Sequence, residues 1–172
     1  FLKILNYDVV ADLGAGEGTL SQLLAQRAKK VIAVDNSQKM VEFGQQLAKD
    51  HKLPNLEYRL GDIENPPIDP SSVDLAIFSQ ALHHAEHPAK ALEKAFEILQ
   101  PGGTIVVLDL LQHTFEQARE MYFDTWLGFS ELSIIQMLED NGFEMIETAI
   151  VDKEDAPPHF QTLLATARKP RN

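Results

Sequence analysis

Residues 9–18 read VVADLGAGEG, an apolar run followed at once by three glycines in five positions. The apolar run predicts a buried strand, and the helical spacing of Leu20, Leu23 and Leu24 predicts a helix directly after the loop. Glycines at such a turn let the backbone pass close to a ligand. Glycine-rich turns are also common without any ligand, so the stretch favours either a ligand-binding loop or a tight turn.

Strands and helices alternate along the next part of the chain. Further strands are predicted at 31–35, 56–60, 75–78 and 104–110. One helix is predicted from Ser37 to Lys49, with Met40, Phe43 and Leu47 buried. Another is predicted from Pro88, with a buried stripe that runs to Leu99 and a stop at 101–103. Short strands that are apolar throughout are typical of a parallel sheet covered on both faces, so the pattern indicates a doubly wound α/β domain.

The pattern changes after residue 110. A helical stretch is predicted over 115–126, either as an aromatic lid over a substrate or as a helix packed on the sheet, and a second helix over 130–141. Strands at 145–151 and 160–167 have no helix between them and are expected to form an antiparallel hairpin. The predicted fold class is therefore α/β, a Rossmann-like, doubly wound, seven-stranded sheet, mostly parallel, in one domain over residues 1–172.

Composition excludes several kinds of chemistry. The 172 residues include no cysteine, so a thiol nucleophile, a thiolate zinc site and a disulfide are excluded. The net charge is −11, and residues 1–60 hold 8 basic and 7 acidic side chains against 7 and 19 in the remainder. Such a field repels nucleic acid and anionic membranes. It is either a solvated acidic surface or a face suited to a cationic substrate. Without a membrane span or secretion signal, a cytoplasmic location is expected.

The glycine spacing bears on the kind of ligand. Dinucleotide-binding loops have the spacing G-x-G-x-x-G, whereas Gly14, Gly16 and Gly18 give G-x-G-x-G. Glu17 lies where the helix begins, and its carboxylate would repel a diphosphate at the positive helix end. A ligand without phosphates fits better, which disfavours the alternative of an NAD-dependent oxidoreductase.

Acidic residues follow the next two strands. Asp35 ends the second strand, 19 residues after Gly16, where a carboxylate can accept hydrogen bonds from both ribose hydroxyls. The alternative is that Asp35 caps the following helix, which Asn36 or Ser37 could also do. Gly61-Asp62-Ile63 follows the third strand, where it is either an adenine-binding edge or a turn.

Five segments together resemble the class I S-adenosylmethionine-dependent methyltransferases. They are residues 12–18, Asp35, residues 61–62, the strand 74–78 running into SQALHH at 79–84, and LQPGG at 99–103. Within that superfamily the chain looks most like the ubiquinone/menaquinone C-methyltransferases. The resemblance spans nearly the whole chain. It implies S-adenosylmethionine as cofactor, S-adenosylhomocysteine as product and methyl transfer to an unidentified acceptor.

The resemblance also implies which residues contact the cofactor. They are Asp12, Gly14, Ala15, Gly16, Asp35, Asn36, Met40, Asp62, Ile63, Ser79, Gln80 and Ala81. The glycines are expected against its methionyl part, with Asp12 near the amino group and Asp35 on the ribose. Asn36 and Met40 would flank the sugar and adenine, and residues 79–81 would line the sulfonium side.

A narrower resemblance covers the C-terminal third. Residues 126–130 and 157–165 look like the methyltransferase half of ArsR-type winged-helix regulators. This resemblance implies that the chain lacks N-terminal sequence of a longer regulator. It also opens an alternative function, a sensor that binds S-adenosylmethionine or S-adenosylhomocysteine with little or no turnover.

Histidines supply the candidates for a catalytic base. His84 and His113 are the candidates by their titration range, and Asp109 is a third. His83, His84 and His87 cluster after the fourth strand, and we expect them to line the pocket mouth rather than bind a metal. A small-molecule acceptor is favoured over a macromolecule, with no direct nucleic-acid or membrane contact. The oligomeric state is left open.

Overall fold

The computed structural model describes residues 7–121 and 125–172, whose strands form one seven-stranded sheet. The strands are β1 (Val9–Leu13), β2 (Lys30–Asp35), β3 (Leu56–Leu60), β4 (Val73–Ser79), β5 (Leu99–Leu110), β6 (Glu144–Lys153) and β7 (Gln161–Arg168). Their order in the sheet is β3-β2-β1-β4-β5-β7-β6. The first five strands are parallel, and β7 pairs antiparallel with both β5 and β6. The predicted fold class and the C-terminal hairpin are confirmed.

Helices cover both faces of the sheet. They are α1 (Thr19–Ala25), α2 (Gln38–Asp50), α3 (Pro88–Ile98), α4 (Ala118–Met121) and α5 (Glu131–Asp140), with a 3-10 turn at Leu82–His84. Apolar side chains of α1 and α2 pack into one buried cluster, and those of α3 and α5 pack into another. Among residues 7–121 and 125–172, no helix has the length and apolar character that crossing a membrane requires.

The buried side of α2 differs from the prediction. Its buried residues are Val41, Gly44 and Ala48, whereas the Phe43 side chain is 48% exposed. The cause is a close approach to β3, because a Cβ atom at Gly44 would lie 2.2 Å from the Tyr58 ring. The buried side of α2 is therefore formed by Val41, Gly44 and Ala48, and Phe43 lies on its exposed side. In α1, Leu24 is fully buried and Leu23 is 58% exposed.

The end of α3 was placed too late. The helix ends at Ile98, and Leu99, expected on its buried stripe, begins β5 instead. The register with β4 jumps from the pair Val73 and Leu99 to the pair Leu75 and Thr104, so the Pro-Gly-Gly segment is a bulge inside the strand. Proline and glycine in a strand are confined to such irregular places.

The helix predicted over 115–126 is wrong at both ends. Among the described residues of that range, 115–121 and 125–126, only α4 is helical, and Trp126 lies in irregular structure. Part of the expected aromatic lid, Tyr122 and Phe123, lies outside the described residues. The chain instead returns to the sheet, where the Phe129 N–H donates to the Leu110 carbonyl at 2.9 Å. The helix α5 was predicted correctly, since the Ser130 hydroxyl accepts from the Ser133 N–H at 3.0 Å as its N-cap.

Candidate functional site

A cleft of about 630 Å³ opens at the carboxyl ends of β1 to β4. It is lined by eleven residues that the sequence predicted for the site: Gly14, Ala15, Gly16, Asp35, Asn36, Asp62, Ile63, Ser79, Gln80, Ala81 and His84. Gly61, the first residue of the predicted Gly61-Asp62-Ile63 segment, also lines the cleft. Glu64, Ala85 and Glu86 also line the cleft and were missed, although each continues a predicted segment past a strand end. A larger open groove of about 1080 Å³ runs along α2 and β3 and holds none of the predicted residues.

One side of the cleft, residues 14–16, 35–36 and 61–64, is here called the loop wall. The N–H groups of Gly14 and Ala15 donate to the Val34 carbonyl at 2.8 and 3.0 Å. Gly16 has φ +57°, and a Cβ atom placed on it would meet nothing within 4 Å. The loop is therefore fixed on β2 while its Gly16 side leaves open space for a ligand.

Asp35 holds the glycine loop and the start of α2 together. Its Oδ2 accepts from the Gly16 N–H at 2.9 Å, and its Oδ1 accepts from the Ser37 N–H at 3.0 Å. The cap of α2 is Ser37, whose hydroxyl accepts from the Met40 N–H at 3.3 Å. An ionised carboxylate has about four acceptor positions, so Asp35 can also accept from ribose hydroxyls. The side chain that caps α2 is therefore that of Ser37 and not that of Asp35.

Two predicted contact residues lie away from the cleft surface. Asp12 is 1% exposed, beneath the glycine loop, and its carboxylate accepts from the Ser21 hydroxyl at 2.5 Å. Burial raises the pKa of Asp12 to about 6, with a further upward push from the charge of Asp35 and a downward one from the Ser21 hydrogen bond. Met40 does not line the cleft. Its backbone N–H donates to the Ser37 hydroxyl that caps α2.

The opposite side of the cleft, residues 79–86, is here called the turn wall. Gln80 has φ +56°, in the left-handed region that strains a side-chain-bearing residue, and its N–H donates to the Leu108 carbonyl at 2.7 Å. The ring centroid of His84 lies 4.0 Å from that of His83, and His84 is exposed to the cleft. This wall combines a strained backbone with an exposed histidine ring.

Asp109 anchors the turn wall from behind. Its Oδ1 lies 2.7 Å from the His83 Nδ1 atom, and its Oδ2 accepts from the His83 N–H at 3.1 Å. Both residues are buried. Burial does not favour Asp109 as a base, because its carboxylate is fully enclosed and already bonded to His83.

The other histidines do not join the cleft. The His113 ring packs on Phe160, 4.5 Å between centroids, and its Nδ1 accepts from the Phe115 N–H at 3.2 Å. His113, a candidate base, therefore lies apart from the other predicted residues. In the part of the chain that the structure describes, no three side chains of His, Asp or Glu are grouped as a metal site.

The cleft has a pronounced negative charge. Its carboxylates are Asp35, Asp62, Glu64 and Glu86, and no lysine or arginine occurs among the described lining residues. Focused negative charge in a cleft raises the local concentration of cations and opposes a diphosphate. S-adenosylmethionine carries a sulfonium and an ammonium group against one carboxylate, so its charge and the open space at Gly16 fit this cleft.

Comparison with known proteins decides the family. The family model described as a methyltransferase domain matches residues 6–161. The chain belongs to this methyltransferase family. It is a class I S-adenosylmethionine-dependent methyltransferase domain. The NAD-dependent alternative has no support from this assignment.

The relatives are longer than the chain. A demethylmenaquinone methyltransferase of Clavibacter sepedonicus is 31% identical over 92% of this methyltransferase chain and 63% of its own length. An arsenite methyltransferase of Halobacterium salinarum is 28% identical over 85% of the chain and 40% of its own length. The chain thus spans about two fifths to three fifths of these two relatives. None of the relatives described bears on the ArsR-like segments, so that resemblance stays a prediction.

A solved structure shares the fold of this methyltransferase domain. A phosphoethanolamine N-methyltransferase of Haemonchus contortus, in complex with S-adenosyl-L-methionine, superposes with a TM-score of 0.84. The match covers 96% of this chain and 49% of that one at 15% identity. The likeness concerns the fold, since identity at this level leaves the acceptor sites free to differ.

Proposed function

We propose that the domain transfers a methyl group from S-adenosylmethionine to a small acceptor that is neutral or cationic. The observation that carries this proposal is the cleft itself, with four carboxylates, no lysine or arginine among its described lining residues, and open space at Gly16. An anionic acceptor would have to approach four like charges, which is costly at the short distances inside a cleft.

The loop wall would hold the cofactor. Gly14 to Gly16 would accommodate its methionyl part, Asp35 would accept from the ribose hydroxyls, and Asp62 and Ile63 would contact the adenine. When bound, S-adenosylmethionine supplies a methyl group on sulfonium, and its transfer leaves the electron pair of the broken carbon–sulfur bond on the sulfur of S-adenosylhomocysteine. The protein then acts chiefly by alignment, because an in-line displacement gains from holding the acceptor at reacting distance.

His84 is the residue of the turn wall suited to take a proton from the acceptor. An oxygen or nitrogen acceptor that gains a methyl group must lose its proton, and a histidine titrates in the range where a base is effective. Since Asp109 holds His83 by its N–H and its ring, the neighbouring His84 ring has a fixed support. His84 thus combines a position on the cleft with a rigid attachment.

Two relatives suggest acceptor types for this cleft. The demethylmenaquinone enzyme is named for an uncharged quinone, and the arsenite enzyme for a soft arsenic acceptor. Thiolates are the protein ligands that soft centres prefer. Since the chain has no cysteine, an uncharged organic acceptor fits it better than arsenite.

Calorimetric titration tests the cofactor. We expect S-adenosylmethionine to bind saturably and NAD not to bind. Asp35→Asn should weaken S-adenosylmethionine binding by about tenfold to a hundredfold, the range for losing a charge-assisted hydrogen bond. Asp69→Asn, on an exposed loop, is the matched control and should bind as the unmodified chain does. NAD binding, or equal affinities in the two variants, would contradict the assignment.

A panel of acceptors tests the charge argument. Formation of S-adenosylhomocysteine is measured with hydroquinones, primary amines and carboxylate or phosphate esters of matched size. We expect turnover with neutral or cationic acceptors and a loss of that turnover in His84→Ala if the acceptor atom is oxygen or nitrogen. Turnover confined to the anionic acceptors would overturn the proposal, and so would binding of the cofactor with no turnover across the panel.

A further inference from the structure

A second cavity adjoins the cofactor cleft. It has a volume of about 460 Å³ and lies between the start of α3 and the start of α5. Trp126, Phe129 and Met137 form its apolar walls, and Glu86 lies on its rim as well as on the cleft. It is lined by His87, expected at the pocket mouth, and by Trp126 of the expected aromatic lid, but by none of the predicted cofactor contacts. This cavity is here called the side pocket.

The aromatic wall of the side pocket is held in place. The Trp126 indole N–H donates to the Ala85 carbonyl at 2.9 Å, and its backbone N–H donates to the His83 carbonyl at 2.9 Å. Its ring is stacked with Phe129 at 6.4 Å between centroids and an interplanar angle of 29°. Even so, 44% of Trp126 is exposed. A large aromatic that is both rigid and exposed provides contact area without an ordering cost on binding.

The side pocket carries negative charge. Glu86 is exposed on its rim, and the other titratable residue there, His87, has its Nε2 atom 4.0 Å from a Glu86 oxygen. The described lining includes no lysine or arginine. A carboxylate and an exposed tryptophan that line the same cavity can attract an organic ammonium group, by charge and by the cation–π interaction.

We propose that the side pocket binds a small apolar amine, with the ammonium group near Glu86 and Trp126 and the apolar part against Phe129 and Met137. Binding there needs no cofactor and no methyl transfer, so it stands apart from the function proposed above. Because Trp126 also bonds to the turn wall through Ala85, an amine in this pocket would contact the support of the cofactor cleft.

Tryptophan fluorescence tests the proposal directly, since Trp126 is the single tryptophan of the chain. The probes are benzylamine, benzyl alcohol and benzoate, which share a ring and differ in charge. We expect saturable changes in the emission with benzylamine, and an affinity about 3- to 30-fold above that for benzoate. The range corresponds to one exposed ion pair plus one cation–π contact. Equal affinities for the three probes, or no saturable change with benzylamine, would overturn the proposal.

Two variants separate the side pocket from the cofactor cleft. Glu86→Gln should lower benzylamine affinity by a few fold, toward that of benzyl alcohol, and its high exposure leaves folding intact. Asp62→Asn is the matched control, because Asp62 lines the cleft and not the side pocket. It should leave benzylamine affinity unchanged. A larger loss in Asp62→Asn than in Glu86→Gln would place the amine in the cofactor cleft and contradict the side pocket as its site.

Discussion

The two walls of the cleft are built in different ways. In the loop wall, each segment directly follows a strand, and backbone groups of neighbouring strands fix it, as where Gly61 donates its N–H to the Asp35 carbonyl at 2.9 Å. The turn wall depends on partners far away in the sequence: Asp109 is 26 residues from His83, and Trp126 is 41 residues from Ala85. Local motifs therefore predicted lining residues of both walls, whereas the distant contacts that hold the turn wall could not be predicted from them.

The largest effect is expected at the buried support of the turn wall. Asp109→Ala removes the acceptor of the His83 N–H and of its ring, and should lower the free energy of unfolding by about 3–5 kcal/mol, as expected when a buried pair loses one partner. Denaturant unfolding measures it. Asp109→Asn keeps one oxygen acceptor and should cost less. A cost below about 1 kcal/mol for the alanine variant would mean that the turn wall does not depend on this contact.

Asp12 gives the loop wall a pH dependence. Its pKa is about 6 in the folded state against an ordinary value of 3.8, so between those values the folded state holds a proton that the unfolded chain has released. The contribution of Asp12 to stability therefore falls as pH rises from about 4 to about 6, by about 3 kcal/mol in total.

Comparison with Asp12→Asn isolates this contribution. Unfolding free energies of both proteins between pH 4 and pH 7 give a difference in which the other titrating groups cancel. The asparagine variant should gain stability relative to the unmodified chain as pH rises through this window. A difference that does not change with pH would show that burial does not raise the pKa of Asp12.

Gly44 tests the packing beneath the loop wall. Alanine normally stabilises a helix interior by about 1 kcal/mol relative to glycine. At Gly44 the added Cβ would lie 2.2 Å from the Tyr58 ring, so Gly44→Ala should destabilise by about 1–3 kcal/mol, measured by thermal unfolding. The double variant Gly44→Ala, Tyr58→Ala should show less than the sum of the two single losses. Strict additivity would argue against the contact.

The smallest effect is expected at Trp126. Trp126→Phe keeps an aromatic ring and loses the N–H bond to the Ala85 carbonyl, at a cost of about 1 kcal/mol in unfolding free energy. Because Ala85 lines the cleft, affinity for S-adenosylhomocysteine should fall as well, by a few fold in calorimetry. An unchanged affinity would show that the turn wall is held without this bond.

The sequence predicted most of the fold because most elements have a strong local signal. Strands β1 and β3 were predicted with their observed bounds, and the helix α5 was predicted from Ser130, which is its N-cap. The same local reasoning failed for α2, where periodicity favoured Phe43 as buried. The actual contact needs the small Gly44 against Tyr58, a pairing of two segments that composition does not reveal.

The site was predictable to a similar depth. Residues that follow strands, such as Gly16, Asp35 and Asp62, meet in the cleft because the carboxyl ends of parallel strands share one edge of the sheet. His113 was selected by residue type alone, and the structure packs it on Phe160 instead. The contacts of Trp126 could not be predicted, because they depend on how an irregular segment returns to the turn wall.

The central claim is that the open space at Gly16 is a cofactor site, and a pair of glycine variants tests it most directly. Gly16 and Gly142 both have positive φ, at +57° and +89°, so alanine strains the backbone at either position by about 1–2 kcal/mol. Of these two glycines, only Gly16 lines the cleft. Calorimetry with S-adenosylhomocysteine should show binding lost in Gly16→Ala and retained in Gly142→Ala. Equal binding by the two variants would contradict the account.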